Sequence, residues 1–161
     1  AAMYGKVGVV GDSAGGGLTL ATLGKTDAAS AAVVFSPWTD LTFSGASIRG
    51  RASREILLAE ESLREAARGY LGSTSAHDSR ASPLLGIPPS LPPLLIQVGS
   101  EEILYDDSVR YAQRARTAGH EVTIQEWAGM HHVFQQNVEA LQAARSALDD
   151  AAMFLEKHMH M

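Results

Sequence analysis

A serine inside a glycine-flanked turn is the feature of this chain with the clearest chemistry. Residues 11–15 read GDSAG, an apolar run precedes them, and Gly16 and Gly17 follow. The pattern predicts a strand, a sharp turn and a helix, with Ser13 exposed on the turn and the positive end of the helix directed at it. A serine held in this way can attack a carbonyl carbon when a base accepts its proton and backbone N–H groups stabilise the oxyanion.

The glycines two residues before and two residues after this serine support the predicted sharp turn. We expect both Gly11 and Gly15 to be steric requirements, because a Cβ at either position would meet neighbouring backbone. The same five residues also occur in ordinary glycine-rich turns between a strand and a helix. The rest of the chain therefore has to supply a base and an acid.

Candidates for the acid follow a later apolar run. Residues 94–99 read LLIQVG and predict a strand that is buried on both faces. Glu101 and Glu102 come directly after this strand, and Asp106 and Asp107 follow within a few residues. By chemistry alone, each of the four carboxylates is a candidate for the acid.

Candidates for the base follow another predicted strand, at residues 122–127. This strand leads into a loop that contains His131 and His132, and either could serve as the base. Parallel strands present the residues after their carboxyl ends at one edge of the sheet. We therefore expect the serine, a carboxylate and a histidine to meet at that edge.

Hydrophobic periodicity and turn residues predict an α/β protein. The predicted strands are residues 6–10, 31–35, 94–99 and 122–127, and the predicted helices are residues 14–25, 56–71, 107–118 and 137–157. Right-handed crossovers would place the strands side by side in a parallel sheet with flanking helices. Gly119 is expected to end the third helix, and the proline-rich residues 72–93 are expected to run over the surface. We expect one domain over residues 1–161, with a helical excursion at about 37–80.

Motifs along almost the whole chain carry a family resemblance. They are GDSAGG at 11–16, SPWTDL at 36–41, SPL at 82–84, LPP at 91–93, LYDD at 104–107 and GMHHVF at 129–134. The chain resembles the carboxyl-terminal half of bacterial carboxylesterases of the hormone-sensitive-lipase family, which are α/β hydrolases. The resemblance implies a partial α/β-hydrolase fold and hydrolysis of short- to medium-chain esters through an acyl-enzyme.

The resemblance also implies a role for each member of a Ser-His-Glu triad. Ser13 is the expected nucleophile. The family pattern Gly-Met-x-His-x-Phe makes His132 the expected base. The family's acid stands two residues before the leucine of its acid motif, here Leu104, and this spacing selects Glu102.

Further predictions concern the residues around the triad. The Ala14 N–H, directly after the nucleophile, is the expected oxyanion donor. Asp12 and Trp38 are candidates for contact with substrate, although we expect the Asp12 side chain to point away and Trp38 to be packed. His131 is expected to face the mouth of the pocket. Asp106 and Asp107 are expected to begin the next helix and to accept its free N–H groups.

One family feature is not found among these residues. Family members carry a His-Gly-Gly-Gly loop whose amides complete the oxyanion hole, and nothing in residues 1–11 resembles it. An alternative expectation is therefore a truncated, catalytically weak or inactive fragment that acts as a structural or binding module. A serine peptidase shares the Ser-acid-His order but fits the SPW and GMxH motifs less well.

Composition excludes several other classes of protein. The chain has 161 residues, a formal net charge of −5 and no cysteine, which is typical of a globular protein without disulfides. Its acidic charge argues against nucleic-acid binding, and no apolar run approaches the length of a membrane span. We expect a small ester as partner, no cofactor, no metal and a cytoplasmic location. The strand at 6–10 is expected to have an unpaired edge, so we expect homo-oligomers through this edge or the sheet faces.

Overall fold

A computed structural model describes residues 6–159 of the chain. Strands and helices alternate along it. In chain order they are β1 (Val7–Asp12), α1 (Ser13–Leu23), β2 (Ala29–Phe35), α2 (Ser47–Gly50), α3 (Glu60–Leu71), β3 (Leu94–Gly99), α4 (Tyr105–Thr117), β4 (Val122–Trp127) and α5 (Gln142–Met159), with short 3₁₀ helices at Pro83–Leu85 and Phe134–Gln136.

The strands form one parallel sheet in the order β1-β2-β3-β4. In the register of the sheet, Val33 of β2 lies beside Val10 of β1 and Leu95 of β3. The two central strands consist mainly of small or branched apolar residues and are largely buried, as expected for strands covered on both faces. The prediction of an α/β fold with four parallel strands and flanking helices is confirmed.

Helices cover both faces of the sheet, and the alternation of side chains along the strands decides which face each residue serves. Ala32 and Val34 of β2 pack in a core cluster with residues of α1 and α4. The residues between and after them, Val33 and Phe35, pack in a second cluster with residues of α5. The sheet is therefore the middle of three layers.

Two helices begin later than the periodicity predicts. A helix was expected from residue 56, but α3 begins at Glu60. Oε1 of Glu55 accepts the N–H groups of Leu57 and Leu58 at 2.8 and 3.2 Å and holds the segment before the helix in a turn. The last helix begins at Gln142 rather than at 137, because the C=O of Asn137 closes turns with the next residues. Gly119 does follow the end of α4, with φ +90°, as predicted.

The segment between β2 and β3 is more deeply packed than predicted. Residues 72–93 were expected to run over the surface, but Ser82 and Leu84 are completely buried. The Leu84 N–H donates to the Thr39 carbonyl at 3.1 Å, and Ser82 Oγ accepts the Leu41 N–H at 2.9 Å. Proline-rich composition argues against regular structure but not against burial, provided that the backbone polar groups find partners.

The helices of the described residues differ in length and in apolar character. Within residues 6–159, none of them meets what is required to cross a membrane.

Candidate active site

Ser13 stands where β1 ends and α1 begins, in a conformation that non-glycine residues rarely adopt. Its φ is +50°, in the left-handed region, so the sharp turn predicted from GDSAG is present. A Cβ on Gly11 would lie 2.4 Å from Thr19 Oγ1 and 2.6 Å from the Gly15 carbonyl oxygen. Only glycine fits at position 11, as predicted.

The expectation for Gly15 is wrong, because the crowding falls on the next two residues. A Cβ on Gly15 would have Asp12 Oδ1 as its nearest neighbour, at 3.8 Å, which is an ordinary contact. A Cβ on Gly16 would lie 2.9 Å from Pro37 Cβ, and one on Gly17 would lie 2.0 Å from the Trp38 carbonyl oxygen. The close approach is between α1 and the loop after β2, which are distant in sequence.

The side chains of Ser13, His132 and Glu102 form a continuous hydrogen-bonded chain. His132 Nε2 lies 2.9 Å from Ser13 Oγ, and His132 Nδ1 lies 2.6 Å from Glu102 Oε2. Glu102 is completely buried and His132 nearly so. The three residues follow β1, β4 and β3, and the parallel sheet brings these strand ends to one edge.

The second carboxylate oxygen of Glu102 is also held. Oε1 accepts the Gly99 N–H at 2.8 Å and the Ser36 hydroxyl at 2.7 Å. Ser36 Oγ in turn accepts the N–H of Val133, the residue after His132, at 3.1 Å. The sequence interpretation gave Ser36 no role, and the only signal for it was its place at the end of a strand in the SPW motif.

The structure places the other candidates for acid and base in different surroundings. Glu101 pairs with Arg54 at 3.1 Å, and the hydrogen bond from Ser100 together with this positive charge lowers the pKa of Glu101. His131 Nδ1 lies 2.9 Å from the His132 carbonyl oxygen, and its Nε2 lies 3.1 Å from Asn137 Nδ2. Neither residue takes part in the hydrogen-bonded chain that contains Ser13.

Asp106 and Asp107 lie in the first turn of α4, as expected, but their carboxylates accept N–H groups of the segment after β2 rather than those of the helix. Oδ2 of Asp107 accepts the N–H groups of both Thr39 and Asp40 at 2.8 Å, and Oδ2 of Asp106 accepts the Ser47 N–H at 2.9 Å. Burial raises the pKa of Asp107 to about 7. The sequence could not indicate these partners, because they lie more than 50 residues away.

Comparison with known proteins identifies the family of this chain. Residues 1–136 match the model of a family described as alpha/beta hydrolase fold. The chain belongs to the α/β-hydrolase family. The likeness to bacterial esterases of the hormone-sensitive-lipase family is also confirmed, since one such esterase structure matches with a TM-score of 0.91 at 34% identity, over 94% of this chain and 53% of that one.

Two curated relatives of this α/β hydrolase carry related names. An acetyl-hydrolase of Streptomyces hygroscopicus is 46% identical over 156 residues, which cover 94% of this chain and 52% of that protein. An esterase of Acinetobacter venetianus is 36% identical over 152 residues, which cover 91% of this chain and 50% of that protein. The chain spans about half the length of the curated relatives it matches.

An apolar cavity of about 300 Å³ opens beside the turn of this α/β hydrolase. Ala14 and Trp38 are part of its wall, which is formed mainly by α1, α3 and the segments after β2 and before β3: Ala14, Gly15, Gly17, Leu18, Trp38, Leu41, Ala66, Tyr70, Arg80 and Ala81. Trp38 is buried, as expected, and its place in the cavity wall also makes it a candidate for contact with substrate. His131 does not line this cavity, and Asp12 Oδ2 accepts a hydrogen bond from Gln136 at 3.3 Å.

Among residues 6–159, no group of three or more His, Asp or Glu side chains is placed to hold a metal ion.

Proposed function

We propose that this chain carries the catalytic triad of a serine carboxylesterase, with Ser13 as nucleophile, His132 as general base and Glu102 as the acid that orients the histidine. The observation that supports this proposal is the hydrogen-bonded chain from Ser13 Oγ through His132 to Glu102 Oε2, with distances of 2.9 and 2.6 Å. Because the Glu102 carboxylate accepts the Nδ1 proton of His132, Nε2 is left free to accept the serine proton.

Acyl transfer follows from these positions in two steps. Ser13 Oγ bonds to the ester carbonyl carbon while its proton passes to His132 Nε2, and His132 then protonates the departing alkoxide as the C–O bond breaks. The acyl group of the ester remains bound to Ser13 Oγ as an acyl-enzyme. Water then gives a proton to the same nitrogen and attacks the acyl carbon. His132 returns this proton to Ser13 Oγ as the bond between Oγ and the acyl carbon breaks, which releases the carboxylic acid and the free serine.

Ala14 supplies one donor for the oxyanion that forms in both steps. Ala14 is the second residue of α1, and the first N–H groups of a helix have no acceptor within it. The partial positive charge at this helix end favours the developing negative charge. The 161 residues contain no His-Gly-Gly-Gly segment, so we expect the remaining donors to come from outside them. Without one donor, turnover falls by roughly 10²–10³.

The cavity beside Ala14 supports a substrate with a short or medium chain. Its wall is mostly apolar, which suits the hydrocarbon part of an ester, and its volume of about 300 Å³ is at the small end for ligand pockets. One relative is named an acetyl-hydrolase, which fits the short end of this range. Homo-oligomers formed through the edge strand β1 or the sheet faces, and a cytoplasmic location, remain parts of the proposal that rest on the sequence.

Hydrolysis of 4-nitrophenyl acetate and butyrate tests the proposal. We expect the parent chain to hydrolyse both esters and to be labelled at Ser13 by a fluorophosphonate, and Ser13→Ala to do neither. Glu102→Gln should lower kcat by about 10⁴-fold, the size found when the acid of such a triad loses its charge. Glu101→Gln, which changes the neighbouring carboxylate, should stay within a few-fold of the parent. Equal rates for the parent and Ser13→Ala would favour the non-catalytic alternative.

A further inference from the structure

We propose that Ser36 is a positioning residue that joins the acid of the triad to the histidine loop through a single hydroxyl; this inference rests on the proposed function. Ser36 is completely buried at the end of β2. Its Oγ lies 2.7 Å from Glu102 Oε1 and 3.1 Å from the Val133 nitrogen. The two contacts reach the acid and the residue next to the general base.

The chemistry of the partners fixes the direction of both hydrogen bonds. An ionised carboxylate can only accept, so the Ser36 hydroxyl must donate its one proton to Glu102. A backbone N–H can only donate, so Val133 must donate to Ser36. The hydroxyl therefore has one orientation, and both of its roles are filled.

The hydrogen bond from Ser36 is one of two that the Oε1 atom of Glu102 accepts. The Gly99 N–H, which also binds Oε1, belongs to β3 and holds Glu102 relative to its own strand. Ser36 directly follows β2 and connects the same oxygen to the backbone N–H of Val133, the residue after His132. With Oε1 fixed from both directions, Oε2 is left directed at His132 Nδ1.

The backbone conformation at position 36 favours glycine, so the presence of serine there is explained by its hydroxyl group. Ser36 has a φ of +47° and Val133 a φ of +46°, both in the region that favours glycine. Such a conformation costs about 1–3 kcal/mol for a non-glycine residue. Glycine would remove this strain at position 36 but would also remove the hydroxyl, so the serine is the residue that keeps the link to Glu102.

Three variants separate positioning from a merely structural role. Ser36→Gly relieves the strain and deletes the hydroxyl, whereas Ser36→Ala deletes the hydroxyl and keeps the strain. Ser82→Ala is the matched control, because Ser82 is also completely buried and its Oγ likewise accepts a backbone N–H, from Leu41, and donates to another acceptor, the Ala76 carbonyl. Neither partner of Ser82 belongs to the triad.

The first readout is the hydrolysis of 4-nitrophenyl butyrate. We expect Ser36→Gly and Ser36→Ala to lower kcat about tenfold, the size of one lost hydrogen bond to a charged group. KM should not change, because a completely buried side chain cannot touch substrate. Ser82→Ala should keep the parent kcat even if its melting temperature falls. Ser36→Gly should melt closer to the parent than Ser36→Ala does. Parent values of kcat in both Ser36 variants would overturn the inference.

The second readout does not need turnover. A histidine Nδ1 proton bonded to a carboxylate gives a far-downfield proton resonance, which His132→Gln assigns by its loss. We expect this resonance in the parent and in Ser82→Ala, and its broadening or loss in both Ser36 variants. An unchanged resonance in those variants, or none in the parent, would overturn the inference. If the parent chain shows the resonance but neither hydrolyses the ester nor is labelled by the fluorophosphonate, the proposed function is contradicted, whereas the role of Ser36 remains supported.

Discussion

At the scale of single residues, carboxylates that look equivalent in the sequence do different work. Glu102 contacts His132, Glu101 pairs with Arg54 at the surface, and Asp107 holds the backbone of the segment after β2. The difference comes from burial and partners, since an exposed carboxylate is solvated and a buried one must be hydrogen-bonded. A buried carboxyl that takes no part in the proposed chemistry should still affect the stability of the protein.

We expect Asp107 to make the folding of this chain sensitive to pH. Burial raises the pKa of Asp107 from 3.8 to about 7, so the folded state holds its proton over a range where the unfolded state has lost it. The stabilisation is complete below the unfolded value and is lost as the pH rises through about 7. Asp107→Asn keeps an oxygen for the two backbone N–H groups but cannot ionise.

Denaturant unfolding at two pH values measures this effect. Between about pH 5 and about pH 8, the parent should lose roughly 3 kcal/mol of unfolding free energy relative to Asp107→Asn. Referring each value to the variant cancels the groups that the two proteins share. Parallel pH profiles for parent and variant would contradict the role given to Asp107.

At the scale of elements, the site depends on how closely α1 approaches the segment that follows β2. The backbone of Trp38 donates a hydrogen bond to the Ser13 carbonyl at 2.9 Å, and its carbonyl oxygen lies against Gly17. This contact connects the nucleophile turn with the wall of the cavity. The small residues of α1 therefore serve the packing of the helix as well as the turn.

Two glycine substitutions in α1 should have opposite effects on stability. Gly17→Ala places a Cβ 2.0 Å from the Trp38 carbonyl oxygen, so the helix must shift, and we expect a loss of about 1–3 kcal/mol or more. Gly15→Ala meets nothing closer than 3.8 Å and should gain up to about 1 kcal/mol from the higher helix propensity of alanine. Thermal unfolding of the two variants tests this prediction. An equal loss of stability in both would show that the contact between α1 and the Trp38 carbonyl does not determine the cost of a Cβ at position 17.

At the scale of the whole molecule, β1 leaves one edge of the sheet without a partner strand in residues 6–159. Within the described sheet β1 pairs only with β2, and its Val7 and Val10 are exposed by 42% and 51%. Leu18 of α1 adds a further exposed apolar side chain nearby in sequence. An apolar strand with free N–H and C=O groups can pair with a second chain.

We expect the 161-residue chain to self-associate through this edge. Sedimentation velocity should show a concentration-dependent oligomer for the parent, and Val10→Lys should shift it towards monomer because a charge on an edge strand opposes pairing. Ile56→Lys is the control, since Ile56 is exposed by 72% but lies outside the sheet. A parent chain that sediments as a monomer at micromolar concentrations would contradict this expectation.

Most of the architecture followed from short-range patterns in the sequence. Apolar runs marked the four strands, and the GDSAG turn placed Ser13 between a strand and a helix, because both depend on neighbouring residues and on backbone sterics. Helix starts were less predictable, as α3 shows, because the Glu55 side chain competes for the N–H groups of the first predicted turn. The residues alone left four carboxylates and two histidines as candidates. The family resemblance implied Glu102 and His132, and their side chains do meet in the structure.

By itself, the sequence determined the parallel α/β order and the set of side chains that reach one edge of the sheet, since these follow from periodicity and from the direction of parallel strands. Only the tertiary structure decided that Gly17 rather than Gly15 is crowded, that Asp107 holds the segment after β2, and that Ser36 links Glu102 to Val133. Each of these facts joins residues that lie from about 20 to nearly 100 positions apart. Local patterns carry no information on such distances, because they are set when the helices and loops pack against the sheet.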